Sequence, residues 1–164
     1  MENYRDFAYR LLHGTGIEIG ALNQPAPLPK ELSVSYCDVI SQEEAKRLFP
    51  ETDSNNLVTV NHLIDLDNSG LRQFKSNSLD FVILSHVIEH VANPIAVLDE
   101  LFRVCKPTGH VVLAVPDKDY TFDKPRQLTP FTHLLEEYRQ HVTTVSDAHY
   151  LDFLKAVHPE VFSR

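Results

Sequence analysis

The run Leu79-Asp80-Phe81-Val82-Ile83-Leu84-Ser85 most constrains what this chain can fold into. Its apolar residues are nearly continuous instead of alternating with polar ones. A strand of that kind is covered on both faces, as in a parallel sheet flanked by other layers. The neighbouring segments agree with this. Residues Ile17 to Ala21, broken by Glu18 and Gly20, predict a first buried strand, Leu32 to Val39 a second, Val58 to Leu66 a third and His110 to Val115 a fifth. Between the last two, Asn93-Pro94 opens a helix as cap and first-turn residue, with a stripe of Ile95, Leu98, Leu101, Phe102 and Cys105. Pro107-Thr108-Gly109 then reads as a turn.

Other helices flank this frame. Met1 to Leu12 is amphipathic, with Phe7, Leu11 and Leu12 near one face and Gly14 and Gly16 beyond its end. Ser41 to Phe49 has a capping serine, Glu43 and Glu44 in the first turn and Lys46 and Arg47 near its end. Glu51 to Asn56 is a polar loop. Two more helices follow the fifth strand: one from Thr129-Pro130 to about His141, and one capped by Ser146-Asp147 with Leu151, Leu154 and Val157 on one face. Residues 23–32 carry Pro25, Pro27 and Pro29, which rule out a regular helix directly after the first strand. Strands separated by helices imply βαβ units, hence a mostly parallel α/β sheet with helices on both faces.

With 164 residues, 43% of them hydrophobic and 23% charged, the chain suits one globular domain. The expected division is a core over about 14–116 and a helical segment over about 117–164. A formal charge of −8 with no Lys/Arg cluster argues against nucleic acid and anionic membranes as partners. Cys37 and Cys105 each lie in apolar sequence and read as reduced, buried thiols. The start Met1-Glu2-Asn3-Tyr4-Arg5-Asp6 lacks the cationic and apolar regions of a signal peptide, and no apolar run is long enough to span a bilayer. Together these features give a cytoplasmic location as the expectation.

Ligands of open parallel sheets bind outside the carboxyl ends of the strands. The residues there are Glu18-Ile19-Gly20-Ala21, Asp38, Asp65 and Ser85-His86. Asp38 lies twenty residues after Glu18, the interval at which nucleotide-binding α/β folds place an acid on the ribose. A carboxylate can accept hydrogen bonds from both ribose hydroxyls. Asp65 would sit beside an adenine amine. Glu18 is an acid in an otherwise apolar strand and needs a partner there. The first-strand loop Gly20-Ala21-Leu22-Asn23 lacks the glycines and helix start that cradle a pyrophosphate, which disfavours NAD. S-adenosylmethionine (SAM) has no phosphate and is compatible with it.

Four segments carry a specific resemblance. Gly16-Ile17-Glu18-Ile19-Gly20-Ala21 resembles motif I of class I SAM-dependent methyltransferases. The stretch from Ser78 to Glu89-His90 is similar to the fourth-strand motif of their type 11 family, and Leu101 to Gly109 to its helix-turn before the fifth strand. Val115 to Asp123 resembles a bacterial subgroup, some members of which lie near sugar-transfer genes. The resemblance covers about residues 14 to 140. It implies a Rossmann-like sheet of order 3-2-1-4-5, extended in the family by strands 7 and 6, for which no segment after Pro116 is a candidate. It implies SAM as cofactor, with Glu18, Gly20 and Ala21 at its amino-acid end, Asp38 at the ribose, Asp65 and Leu66 near the adenine, and Ser85 and His86 near the methyl group.

The reaction implied is methyl transfer to an oxygen or nitrogen of a small-molecule or sugar-type acceptor, such as a saccharide or cell-envelope intermediate. His86 and Asp117 are the candidate bases, and Asp117, Tyr120 and His133 candidates for the acceptor pocket. The alternative is a SAM-fold module for binding or assembly without catalysis. A fifth strand left at the sheet edge would favour homodimers. No metal is expected, because His86, Glu89 and His90 lack the spacing of a zinc motif and a third ligand.

Overall fold

The structure is a computed structural model that describes residues 4–53 and 56–162. Helix α1 (Tyr4–Tyr9) leads into β1 (Thr15–Ile19), and β2 (Ser33–Asp38) is followed by α2 (Gln42–Leu48). The short β3 (His62–Leu63) and the long β4 (Leu79–Ser85) precede α3 (Pro94–Val104), which runs directly into β5 (Cys105–Ala114). Helices α4 (Phe131–Arg139) and α5 (Asp147–Val157) follow. All strand pairs are parallel, and the sheet order is β3-β2-β1-β4-β5, as expected.

The apolar run of β4 is buried on both sides, for the reason its sequence implied. Val82 and Leu84 join Ile17, Ile19, Cys37 and the α3 residues Val97, Leu101 and Val104 on one face. Phe81 and Ile83 point the other way, against Tyr9 and Leu12, with Ala26, Leu28 and Leu32 of the proline-rich segment packed over them. That segment therefore covers a sheet face without being a helix. The two cysteines are free and buried, and burial pushes the Cys37 thiol up to about 12.

Local signals set several boundaries. Ser41 Oγ accepts from Glu44 N at 3.1 Å and starts α2. Asn93 Oδ1 accepts from Ala96 N at 3.1 Å and starts α3, with Pro94 in its first turn. Arg103 braces α3 against the loop before β4: its guanidinium pairs with Glu100 at 2.6 and 2.8 Å and donates to the Leu71 and Phe74 carbonyls at 3.0 Å.

Four expectations need correction. The helix over 1–12 is shorter: α1 ends at Tyr9, and its first three expected positions lie outside the described residues. Tyr9 and Leu12 are its buried contacts, whereas Phe7 and Leu11 are exposed. The third strand is two residues instead of nine, because Asn61 Oδ1 takes the Tyr36 amide at 2.8 Å and Val58 N donates to Leu22 O at 2.9 Å, replacing a ladder with separate bonds. The Pro107-Thr108-Gly109 turn lies inside β5 as a bulge: Leu79 faces Cys105 and Phe81 faces His110, so four residues of β5 sit opposite Asp80. On α3, Phe102 is 66% exposed and Val97 and Val104 are buried instead. Of the polar loop 51–56, residues 54 and 55 lie outside the described residues.

Among the described residues β5 has no strand on its outer side, and no helix is long and apolar enough to cross a membrane.

Candidate active site at the strand ends

The parallel register brings the carboxyl ends of β1, β2 and β4 to one edge. Ile19 lies between Cys37 and Leu84, Gly20 N donates to Cys37 O at 2.9 Å, and His86 N donates to Ala114 O at 2.9 Å. Gly20 has φ +74°, and a Cβ there would lie 2.5 Å from Val87 Cγ2. Both conditions demand glycine: the left-handed backbone and the close approach of the β4 loop. Ala21 beside it is buried.

Glu18 is 3% exposed. Its alternating position in β1 turns it to the face of Ile83 and Tyr36, away from Ile17 and Ile19. Both carboxylate oxygens accept from Ala26 N, at 3.0 and 3.1 Å, so Glu18 holds the proline-rich segment over the sheet. Burial pushes its carboxyl up to about 7, a shift that the Ala26 hydrogen bond partly opposes. Beside it lies a cavity of about 110 Å³ lined by Arg5, Tyr9, Glu18, Gln24 to Pro27 and Ser85. Ser85 Oγ is buried there, with the Tyr9 side chain as its polar neighbour. A buried hydroxyl next to a buried acid is a place where a ligand with polar groups gains most.

Asp38 ends β2. Its Oδ1 accepts from Val39 N at 2.8 Å and from Ile40 N at 3.4 Å, and Oδ2 accepts nothing among the described residues. Burial raises its carboxyl above the ordinary range, against those two amides. Asp65 is occupied locally: it accepts from the amides of Asp67 and Asn68 and from Asn68 Nδ2 at 2.8 Å, which lowers its carboxyl. Leu66 packs against the core on the α3 side. Asp67, two residues on, bridges instead: its Oδ1 accepts from Ala92 N at 2.8 Å and ties this loop to the start of α3. The Asp-Leu-Asp spacing was its only signal in the sequence.

His86 sits just beyond β4 with φ +55°, a left-handed conformation uncommon outside glycine, though histidine adopts it more readily than most. Its Nε2 is 2.7 Å from Arg5 Nη2, and its Nδ1 is 3.7 Å from Glu89 Oε1. A guanidinium only donates, so Nε2 is the acceptor and the ring proton is on Nδ1, toward Glu89. No sequence pattern pointed to Arg5, because 81 residues separate it from His86.

Of the expected acceptor residues, Asp117 and Tyr120 share one short turn, in which Tyr120 N donates to Asp117 O at 3.0 Å. Asp117 caps its own short turn by accepting from Asp119 N at 3.0 Å, Tyr120 is 89% exposed, and His133 contacts Glu137 and His149.

A family model described as a methyltransferase domain matches residues 5–157. The probable polyketide synthase 10 of Dictyostelium discoideum is 33% identical over 90 residues, which are 52% of this chain and 4% of that protein. The CurJ carbon methyltransferase structure is 17% identical with a TM-score of 0.47, over 88% of this chain and 41% of that one. The trans-methyltransferase CalH, in complex with SAH, is 20% identical with a TM-score of 0.44, over 89% and 44%. A possible histamine N-methyltransferase from Thermotoga maritima is 18% identical with a TM-score of 0.47, over 87% and 62%. The chain thus spans a small fraction of that synthase and less than two thirds of each of these solved chains. With its model matched over nearly the whole described sequence, this chain belongs to the methyltransferase domain family.

Proposed function

We propose that the chain binds S-adenosylmethionine at the carboxyl ends of β1, β2 and β4 and transfers its methyl group to an oxygen or nitrogen of a small-molecule or sugar-type acceptor. Family membership supports the reaction. The observation that carries the site is the conjunction at β1: Gly20 in a left-handed turn against Val87, with buried Glu18 and the buried Ser85 hydroxyl beside it. Glycine lets the chain turn sharply at the end of β1 and lets the loop after β4 close on it, and the two polar side chains beside that turn suit a charged amino-acid end. Asp38 Oδ2, which accepts nothing among the described residues, suits a ribose hydroxyl. Asp65 suits the adenine amine only if its local hydrogen bonds are exchanged.

SAM supplies the electrophilic methyl when bound, and the chain's contribution is alignment of the acceptor with it. His86 is the group at the β4 end able to take a proton, once Arg5 leaves its Nε2. Arg5 and Tyr9 also line the 110 Å³ cavity, so α1 covers the site, and its displacement accompanies entry of a molecule as large as SAM.

Calorimetric titration with SAM tests this reading. Binding in wild type that is lost in Gly20→Val supports it, and no heat from SAM in a folded wild-type protein overturns it. The second reading, a SAM-fold module for assembly, draws on β5: Leu113 on this edge strand is 40% exposed, and Val115 just beyond it 51%. SAM binding without turnover, together with a dimer in size-exclusion chromatography, would favour it.

A further inference from the structure

Helices α4 and α5 bring three metal-ligating side chains to one point. His133 and Glu137 are four residues apart on α4 and share one face of it. His149 lies in the first turn of α5. His133 Nε2 is 3.1 Å from Glu137 Oε1, His149 Nε2 is 3.2 Å from the same oxygen, and the two Nε2 atoms are 3.1 Å apart. The Glu137 side chain is 15% exposed. Among the described residues this is the only such group of three.

Hydrogen bonding does not satisfy that triangle. A carboxylate oxygen only accepts, and an imidazole nitrogen either donates or accepts. If both histidines donate to Oε1, two N–H groups are held side by side at 3.1 Å. If one of them is unprotonated at Nε2, its lone pair faces the carboxylate oxygen at 3.1 to 3.2 Å. Each arrangement leaves one repulsive edge. A cation within reach of all three atoms would replace that repulsion with attraction on every edge. In a tetrahedral zinc site with bonds of 2.0–2.1 Å, ligand atoms are about 3.3 Å apart, close to the observed edges. Two imidazoles and one carboxylate, with the fourth position open, form a recognised zinc ligand set.

We propose that His133 Nε2, His149 Nε2 and Glu137 Oε1 bind a divalent transition metal ion, Zn²⁺ in the first instance, with water in the fourth position. The ion clasps α5 to α4. Helix α5 needs such a tie, because none of its residues is buried. Its other links run to the segment after β5, through Arg126–Asp152 at 3.0 Å and the Phe122–Phe153 ring contact. Helix α4 is itself anchored on α3: Tyr138 donates to Asp99 Oδ2 at 2.6 Å, and the buried Asn93 donates to the Glu137 carbonyl at 3.2 Å. The sequence expectation of no metal rested on His86 and His90. These ligands come from three other positions, joined only when α5 folds back on α4.

The test uses the full chain stripped of metal with EDTA and titrated with Zn²⁺ in a calorimeter, and separately with Co²⁺, whose tetrahedral complexes absorb visibly. The expected result is one tight site per chain and a rise in thermal midpoint with Zn²⁺. His149→Ala and Glu137→Gln, on different helices, each weaken binding on the order of 100-fold or more, since loss of even an outer-shell partner costs 10–100-fold. Both variants without metal should melt at the midpoint of the metal-free wild type, and His158→Ala should bind as wild type. No tight site in the wild type, or unchanged Zn²⁺ affinity in either folded variant, overturns the proposal.

Discussion

Replacing Glu18 with Gln should change how stability depends on pH. The carboxyl has an ordinary value near 4.5 and is pushed up to about 7 by burial in the folded protein. Between those values the folded chain holds a proton that the unfolded chain has released. Raising the pH across this window therefore lowers stability; the loss is absent below about 4.5 and complete above about 7. A shift from 4.5 to about 7 corresponds to roughly 3 kcal/mol as an upper bound. Gln keeps the shape and an oxygen for the Ala26 amide but has no charge to desolvate. Its amide N–H groups add a desolvation cost that is the same at every pH. The stability difference between E18Q and wild type should then move in favour of E18Q by about 1–3 kcal/mol from pH 5 to pH 8. Urea unfolding at those two pH values measures it. Asp38 and Asp67, also raised, contribute pH dependence of the same sign to both proteins and cancel in the difference. A difference that does not change with pH would refute the argument that burial pushes the Glu18 carboxyl up to about 7. Tyr9, Tyr36, Arg5 and Asp6 are the titratable and charged groups around it.

Other consequences can be checked in parallel. Gly20→Val places a β-branched residue at φ +74° against Val87 and should destabilise by roughly 2 kcal/mol or more while removing SAM binding, read by thermal melting and calorimetry. Asp38→Asn keeps the Oδ1 acceptor for Val39 but removes the charge. Its SAM affinity should fall about tenfold, with stability within about 0.5 kcal/mol of wild type. Arg103→Lys cannot reproduce the paired contact with Glu100 together with the bonds to Leu71 and Phe74, and urea unfolding should show a loss of about 2 kcal/mol. His86→Ala should keep SAM affinity and, once an acceptor is known, lower turnover on the order of 100-fold; full turnover would exclude His86 as the base.

Much of the fold was legible in the sequence because its signals are local. Seven consecutive residues sufficed for β4, since double-sided burial leaves a continuous apolar run. Ser41 and Asn93-Pro94 marked helix starts because a cap and its amide are three residues apart. The first strand was expected at Ile17 to Ala21 and lies two residues earlier, at Thr15–Ile19, whereas the sheet order followed from the resemblance and the places of Glu18, Gly20, Asp38 and Ser85 near the strand ends from parallel topology. Gly20 is where a sequence signal and a three-dimensional constraint coincide, in its positive φ.

What only the tertiary structure decided are the contacts between residues far apart in the chain. Arg5 reaches His86, Asp67 holds Ala92, and Asn61 replaces a strand ladder at Tyr36. The proline-rich segment reads as loop in the sequence, yet it forms a sheet cover, because buried Glu18 supplies the acceptor its Ala26 amide needs. The clearest case is His133, Glu137 and His149. Helical periodicity relates the first two, and no periodicity relates them to the third. Chain pattern records which face a residue takes within its own element; the meeting of two elements is fixed by the burial and polar pairing they achieve together.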